Sequence, residues 1–169
     1  MIKVLVSGAC GRMGQAVVKA VMEDSELQLV GAVDIVAGAD AGELVGMGKS
    51  GVIVADDLAK AIDETKPEVM VDFTRPDVVY GNAVLAVKKG VSPVIGTTGL
   101  SDEAKAELEA LAKEHNTPVF IAPNFAIGAV LMMLMARQAA KYMPEVEIIE
   151  LHHDRSWMPL PARLCRQLP

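Results

Sequence analysis

A length of 169 residues slightly exceeds the roughly 150 residues of an average domain. A hydrophobic share of 51% against 22% charged residues excludes intrinsic disorder, and a net charge of −6 argues against nucleic acid, whose phosphates require a basic surface. No apolar run reaches the ~20 residues of a membrane-spanning helix, and no signal peptide is visible. The two cysteines, Cys10 and Cys165, form no CxxC metal site, so no metal is predicted. We expect a soluble, cytoplasmic protein with no membrane partner.

Short apolar segments rich in β-branched residues alternate with helical segments along most of the chain. The runs that predict buried parallel strands are 2–6, 27–34, 69–73, 92–95 and 119–122. The segments that predict helices are 15–22, 57–64, 76–89 and 101–114. The glycine-rich segment 36–52 indicates a loop. This alternation predicts an α/β fold with a Rossmann-type doubly wound parallel sheet.

A glycine-rich turn joins the first predicted strand to the first predicted helix. Gly8, Gly11 and Gly14 follow a Gly-x-x-Gly-x-x-Gly spacing, a variant of the more common G-x-G-x-x-G. Such glycines let the backbone and a helix N-terminus approach a pyrophosphate, although any tight turn also favours glycine. Asp34 ends the second predicted strand, where a carboxylate accepts the ribose hydroxyls of a dinucleotide. Together these features predict dinucleotide binding.

The residue after Asp34 bears on the choice between NADH and NADPH. It is Ile35, where a protein that binds the 2′-phosphate of NADPH has a basic residue. A carboxylate without a cation beside it repels that phosphate. The sequence therefore predicts NADH as the preferred cofactor, with NADPH as the alternative.

Two further loops follow predicted strands and carry small or polar residues. They are Gly96-Thr-Thr-Gly99 and Ala122-Pro-Asn-Phe125. Because ligands bind beyond the carboxyl ends of parallel strands, both loops are predicted to meet the nicotinamide side of a cofactor. Ordinary turn chemistry explains either loop taken alone. Asp72-Phe-Thr74 is a third strand end, with Thr74 predicted to lie near the cofactor.

The sequence changes in character near residue 126. Residues 126–143 are apolar nearly all round, which predicts a buried helix or one packed against a second layer. A strand is predicted at 146–151, and His152 and His153 follow it. An imidazole that titrates near neutral pH suits proton transfer, but a structural pair of histidines at a strand end explains the two residues equally well.

Taken in order, the motifs resemble those of one family. The matching segments are Gly8-Ala-Cys-Gly-Arg-Met-Gly14, Asp72-Phe-Thr74, Gly96-Thr-Thr-Gly99, Ala122-Pro-Asn-Phe125 and Glu150-Leu-His-His-Asp154. From Met1 to about Arg155 the chain resembles the N-terminal part of the 4-hydroxy-tetrahydrodipicolinate (dihydrodipicolinate) reductases. The resemblance implies an NAD(P)H-dependent oxidoreductase of diaminopimelate and lysine biosynthesis, cytoplasmic and homotetrameric, that acts on a small dicarboxylate.

The resemblance also implies domains and roles for individual residues. Residues 1–125 are expected to form the dinucleotide-binding domain and 126–155 the start of an incomplete α+β domain for substrate binding and oligomerisation. His152 is implied to transfer a proton, and His153 to contact a substrate carboxylate. The residues implied to bind the cofactor are Gly8, Ala9, Cys10, Gly11, Arg12, Met13, Asp34, Gly96, Thr97, Thr98, Ala122, Pro123, Asn124 and Phe125.

The chain departs from the family pattern at residues 156–169. The family continues with a Lys proposed as proton donor and a Ser-Gly-Thr turn that grips the substrate, whereas this chain has Ser-Trp-Met-Pro-Leu-Pro-Ala-Arg-Leu-Cys. With suitable synonymous codons, the same DNA read from its third base encodes Leu-Asp-Ala-Pro-Ser-Gly-Thr-Ala-Leu. We interpret the tail as an out-of-frame translation, and we expect impaired reductase activity because the motif is absent.

Two other functions explain part of the sequence. A non-catalytic NAD-binding sensor module needs the glycine turn and Asp34 but no proton donor, so the histidine pair favours a reductase. Another Rossmann oxidoreductase, such as a relative of aspartate or homoserine dehydrogenase, is disfavoured by the segment Glu150-Leu-His-His153.

Overall fold

The computed structural model describes residues 1–122, 124–143 and 145. Its contacts divide the chain into two compact units, Met1–Pro123 and Asn124–Pro169. Six strands and five helices belong to the first unit, and one helix belongs to the described part of the second.

The first unit is a parallel sheet with helices on both faces. Its strands, β1 to β6, are Ile2–Ser7, Leu27–Val33, Val54–Ala55, Val69–Asp72, Ser92–Ile95 and Phe120–Ile121. Its helices, α1 to α5, are Arg12–Glu23, Ala41–Leu44, Leu58–Thr65, Val79–Lys88 and Asp102–His115. The strand order is β3-β2-β1-β4-β5-β6, and every pair of these strands is parallel. The predicted Rossmann-type sheet is thus confirmed.

Successive residues of β1 pack into cores on opposite sides of the sheet. Val4 and Val6 share one buried cluster with Val18 of α1. Leu5 is fully buried in a second cluster with Ile62 of α3. Because helices cover both faces, β1 is apolar at every central position instead of alternating between apolar and polar residues.

The N-termini of α3 and α5 are capped by side chains. The carboxylate of Asp57 accepts the N–H of Lys60 at 3.0 Å, and the hydroxyl of Ser101 accepts the N–H of Ala104 at 3.1 Å. Each cap satisfies one of the backbone donors that a helix leaves open at its first turn.

The structure corrects several predicted boundaries. The predicted loop 36–52 contains α2, whose N–H groups at Gly42 and Glu43 bond to the carboxylate of Asp40. Helix α1 begins at Arg12, three residues before the predicted start. Helix α4 begins at Val79 and not at residue 76. The N–H groups of Val78 and Val79 first close a turn by bonding to the carbonyl of Arg75.

The second unit contains helix α6, Ile127–Ala140, within the predicted helix 126–143. None of its residues is buried, and Ile127 is 79% exposed, so the first predicted alternative, a buried helix, is wrong, while packing against a second layer stays a prediction. An apolar composition indicates that a helix needs a cover but does not specify what covers it. Among the helices of the described residues, none combines the length and the apolarity needed to cross a membrane. The predicted strand at 146–151 lies outside the described residues.

Candidate dinucleotide-binding site

The predicted cofactor loops of the first unit lie at one edge of the sheet. Because the strands are parallel, the residues that follow β1, β2, β4 and β5 are all at the carboxyl edge. Strands β1 and β4 are neighbours in the sheet, although β2 and β3 come between them in the chain. The strand order reverses at this point, which is where an open α/β sheet forms a crevice for a ligand.

Gly8 and Gly14 are required by packing inside the protein. Gly8 has a φ of +82°, and a Cβ at this position would lie 2.5 Å from the carbonyl oxygen of Phe73, just after β4. A Cβ at Gly14 would lie 1.9 Å from the carbonyl oxygen of Gly8. These two glycines therefore allow β1, the end of β4 and helix α1 to approach one another closely.

Gly11 has no such internal reason to be glycine. Its φ is −70°, and a Cβ there would meet only the carbonyl oxygen of Gly8, at 3.4 Å. Gly11 is the N-cap of α1 and gives its first turn no side-chain hydrogen bond, unlike the caps of α3 and α5. Arg12 and Met13 are exposed beside it. The start of α1 is thus an accessible surface of backbone N–H groups with partial positive charge.

Ala9 and Cys10 tie this turn to the end of β2. Ala9 is buried, and its N–H bonds to the carbonyl of Val33 at 3.1 Å. The N–H of Cys10 donates to the Oδ2 atom of Asp34 at 2.8 Å. Burial and the neighbouring Asp34 carboxylate raise the pKa of the Cys10 thiol, so the thiol is neutral at physiological pH.

Asp34 follows β2 directly and keeps part of its carboxylate accessible. Besides the bond from Cys10, its Oδ1 atom accepts a long bond of 3.4 Å from the N–H of Val36. The next side chain, Ile35, is 90% exposed and uncharged. The carboxylate is therefore held in place beside the glycine turn by backbone donors.

Gly96 and Thr97 pack against the end of β4. The N–H of Gly96 donates to the carbonyl of Asp72 at 2.9 Å, and a Cβ at Gly96 would lie 2.1 Å from the ring of Phe73. Thr97 is buried and donates its hydroxyl to the Oδ1 atom of Asp72 at 2.9 Å. Thr98, the next residue, is half-buried.

Sequence reasoning selected Thr74 at the end of β4 but missed the residue that organises this region. That residue is Asp72, a fully buried carboxylate bonded to three neighbouring side chains. One signal was available, since a lone carboxylate ends a strand whose other residues are apolar.

Of the remaining predicted residues, the structure describes some and not others. Ala122 follows β6, and its N–H donates to the carbonyl of Ile95 at 3.1 Å. Asn124 and Phe125 belong to the second unit, where the Oδ1 atom of Asn124 accepts the N–H of Ala126 at 2.8 Å. Three predicted residues lie outside the described part of the chain: Pro123, His152 and His153. Within the described ranges, no group of three His, Cys, Asp or Glu residues is placed to hold a metal ion.

The sequence of the chain matches known proteins over most of its length. Residues 2–125 match the family model described as dihydrodipicolinate reductase, N-terminus. The 4-hydroxy-tetrahydrodipicolinate reductase of Syntrophomonas wolfei is 51% identical over 154 residues, which cover 90% of this chain and 58% of that protein. The enzyme of the same name from Moorella thermoacetica is 48% identical over 155 residues, with 91% and 58% covered. The chain thus spans about 58% of the length of these curated relatives.

A solved structure resembles this chain as well. It is the dipicolinate-bound dihydrodipicolinate reductase from Paenisporosarcina sp. TG-14, with a TM-score of 0.79 and 39% sequence identity. The match covers 98% of this chain and 63% of that chain.

Proposed function

Since the chain belongs to the dihydrodipicolinate reductase family, we propose that it supplies the cofactor-binding part of a reductase. The proposed reaction is the NAD(P)H-dependent reduction of 4-hydroxy-tetrahydrodipicolinate to tetrahydrodipicolinate, in diaminopimelate and lysine biosynthesis. The names of the two curated relatives support this reaction. The dipicolinate in the Paenisporosarcina structure supports a small dicarboxylate as substrate.

The observation that carries the proposal is the open position at Gly11. Internal packing explains Gly8 and Gly14 but leaves Gly11 unexplained, because a Cβ there would make only an ordinary van der Waals contact. The approach of a pyrophosphate to the backbone at the uncapped start of α1 gives a reason for glycine at this position. The residues present therefore fit a dinucleotide, with Gly8–Met13 proposed to hold its pyrophosphate.

The acceptor capacity of Asp34 supports NADH as the preferred form. A carboxylate offers about four lone-pair positions, and two of those on Asp34 accept the N–H groups of Cys10 and Val36. The two that are left equal the number of hydroxyl donors on the adenosine ribose. A 2′-phosphate would replace one donor by negative charge beside a carboxylate, and Ile35 offers no compensating cation.

The residues that follow β5 and β6 in the chain are proposed to hold the nicotinamide half. Gly96–Thr98 and Ala122–Phe125 follow β5 and β6, the strands beyond β4. When bound, the nicotinamide supplies the hydride. His152 is proposed to transfer the accompanying proton and His153 to bind a substrate carboxylate, both within a second domain that starts at residues 126–155. The family tetramer is proposed to form through that domain.

The tail at 156–169 leads to a separate proposal about the gene. Its sequence lacks the family Lys and Ser-Gly-Thr, and with suitable codons a shifted reading frame would restore the Ser-Gly-Thr. Sequencing of the DNA across codons 154–157 tests this proposal, with an insertion or deletion as the expected result. An intact frame with no adjacent insertion or deletion refutes it.

Titration of the 169-residue chain with NADH, followed by nucleotide fluorescence, tests the cofactor proposal. We expect saturable binding that the Gly11→Ala variant weakens at least tenfold, since a methyl group would stand where the phosphate approaches. Gly81→Ala is the matched control, because a Cβ at Gly81 has no atom within 4 Å. Unchanged NADH affinity in Gly11→Ala would contradict the proposal. A turnover assay on the same sample tests the expected impairment, which an ordinary enzymatic rate disproves.

A further inference from the structure

A buried carboxylate links three polypeptide segments at the nicotinamide side of the proposed site. Asp72, the last residue of β4, is 0% exposed. Its Oδ1 atom accepts the hydroxyls of Thr74 at 2.6 Å and of Thr97 at 2.9 Å. Its Oδ2 atom accepts the side-chain amide of Asn82 in α4 at 2.9 Å. The loop after β4, the loop after β5 and helix α4 therefore meet on one side chain.

The donors to Asp72 are all neutral. The N–H of Thr74 adds a fourth hydrogen bond at 3.0 Å, and no Lys or Arg of the described chain lies within ion-pair distance of the carboxylate. A buried carboxylate requires such a full set of donors, because a missing one leaves charge without compensation. The four donors and the carboxylate consequently hold one another in a single arrangement.

The arrangement also fixes the direction of two hydroxyl protons. A hydroxyl has one proton, and a carboxylate oxygen can only accept, so Thr74 and Thr97 both direct their protons at Asp72. Their remaining lone pairs can then only accept hydrogen bonds. Gly96, next to Thr97, is held by the same strand end, since its N–H bonds to the carbonyl of Asp72 at 2.9 Å.

We propose that Asp72 is a positioning residue for the nicotinamide half of the cofactor, because it fixes the loops after β4 and β5 relative to each other. The proposal rests on the proposed dinucleotide binding. The adenosine and pyrophosphate half is assigned to other residues, the turn after β1 and Asp34, whose hydrogen bonds do not include Asp72. Loss of the carboxylate should therefore weaken the binding of one half of the cofactor selectively.

The test compares two ligands by calorimetry on the full chain. NADH contains the nicotinamide ring, whereas ADP-ribose has the same adenosine, pyrophosphate and second ribose without the ring. In Asp72→Asn an amide N–H2 group replaces one carboxylate oxygen, so it faces donors that in the wild type bond to that oxygen. We expect NADH affinity to fall about tenfold, in the range for loss of one hydrogen bond to a charged group, while ADP-ribose affinity changes less than about twofold.

The matched control is Asp40→Asn. Asp40 is also a buried carboxylate held by several hydrogen bonds, but its donors all lie in the segment 42–51 after β2. The Asp40→Asn variant should leave the ratio of NADH to ADP-ribose affinity unchanged. If Asp72→Asn fails to fold, Asn82→Ala serves as the second variant, because it removes a single donor to Asp72. It should also lower the ratio of NADH affinity to ADP-ribose affinity.

The outcomes separate this inference from the proposed function. A wild-type chain that binds neither ligand contradicts dinucleotide binding itself. Wild-type binding with an equal loss for both ligands in Asp72→Asn overturns the positioning role and leaves dinucleotide binding intact. An unchanged ratio in a folded Asn82→Ala variant, or wild-type binding of NADH no tighter than ADP-ribose, also overturns the positioning role.

Discussion

An added methyl group should destabilise the protein much more at Gly14 than at Gly11, the other glycine at the start of α1. In Gly14→Ala the new Cβ would be placed 1.9 Å from the carbonyl oxygen of Gly8, more than 1 Å inside the 3.0 Å limit of real Cβ contacts. Because this oxygen is a backbone atom and cannot rotate away as a side chain could, α1 or the glycine turn must shift. We expect a loss of about 3 kcal/mol, the upper end of typical overpacking costs. For a unit of this size such a loss lowers the unfolding temperature by about 10 °C.

Gly11→Ala is the internal comparison for this prediction. Its Cβ contact of 3.4 Å needs no movement, and alanine at an N-cap costs about 1 kcal/mol or less relative to glycine. Thermal unfolding followed by circular dichroism, without nucleotide, measures both variants under the same conditions. If Gly14→Ala unfolds within about 2 °C of the wild type, or if Gly11→Ala is the less stable of the two, the packing argument is wrong.

Two further predictions concern the acidic side chains after β2. Ile35→Arg should raise the affinity for NADPH relative to NADH at least tenfold, because a guanidinium in this exposed position can pair with the 2′-phosphate. The measurement is the ratio of the two dissociation constants. An unchanged ratio would contradict the proposed role of Asp34. Hydrogen bonds from the backbone and hydroxyl of Ser50, and from the N–H of Gly51, lower the pKa of Asp40. Its contribution to stability is therefore present above about pH 4, the unfolded value, and is lost as the pH falls further. Urea unfolding between pH 2 and 6 should show a weaker acid dependence in Asp40→Asn than in the wild type, and parallel curves would refute this.

The fold was predictable where the chain carries strong local signals. The central strands are uniformly apolar because helices cover both faces, as Val4, Leu5 and Val6 show. The two-residue strand β3 was not predictable, since Val54 and Ala55 are too few to show a periodicity and are defined by pairing with β2. Helix α2 was missed for a related reason, because backbone N–H groups of Gly42 and Glu43 that bond to the Asp40 carboxylate stabilise it within a glycine-rich segment.

The sequence predicted which residues belong to the candidate site, but not why each of those residue types is needed there. The spacing of the glycines indicated a dinucleotide turn, yet only the structure separates the packing role of Gly8 and Gly14 from the open position of Gly11. Asp72 escaped prediction because two of its partners, Asn82 and Thr97, are 10 and 25 residues away in sequence. Bonds over such separations are set by the order of the strands, which no local pattern specifies.

The two buried carboxylates differ in what they connect, and this difference can be measured. Asp40 bonds to one segment, mostly through backbone N–H groups, whereas Asp72 joins side chains from separate elements. They have no hydrogen-bond partner in common. Destabilisation by Asp40→Asn and Asp72→Asn should therefore add in the double variant.

Asp72 and Asn82 should instead be coupled, because they bond to each other. In Asp72→Asn the new amide N–H2 group would face the side-chain N–H2 group of Asn82, and two donors cannot bond to each other. Asn82→Ala removes the second of these donors. The double variant should therefore be more stable than the sum of the two single changes predicts. We expect a coupling free energy of about 1 kcal/mol from urea unfolding of the four proteins in the cycle. Additivity within about 0.3 kcal/mol would show that the 2.9 Å contact between these side chains does not constrain the loops that Asp72 is proposed to hold.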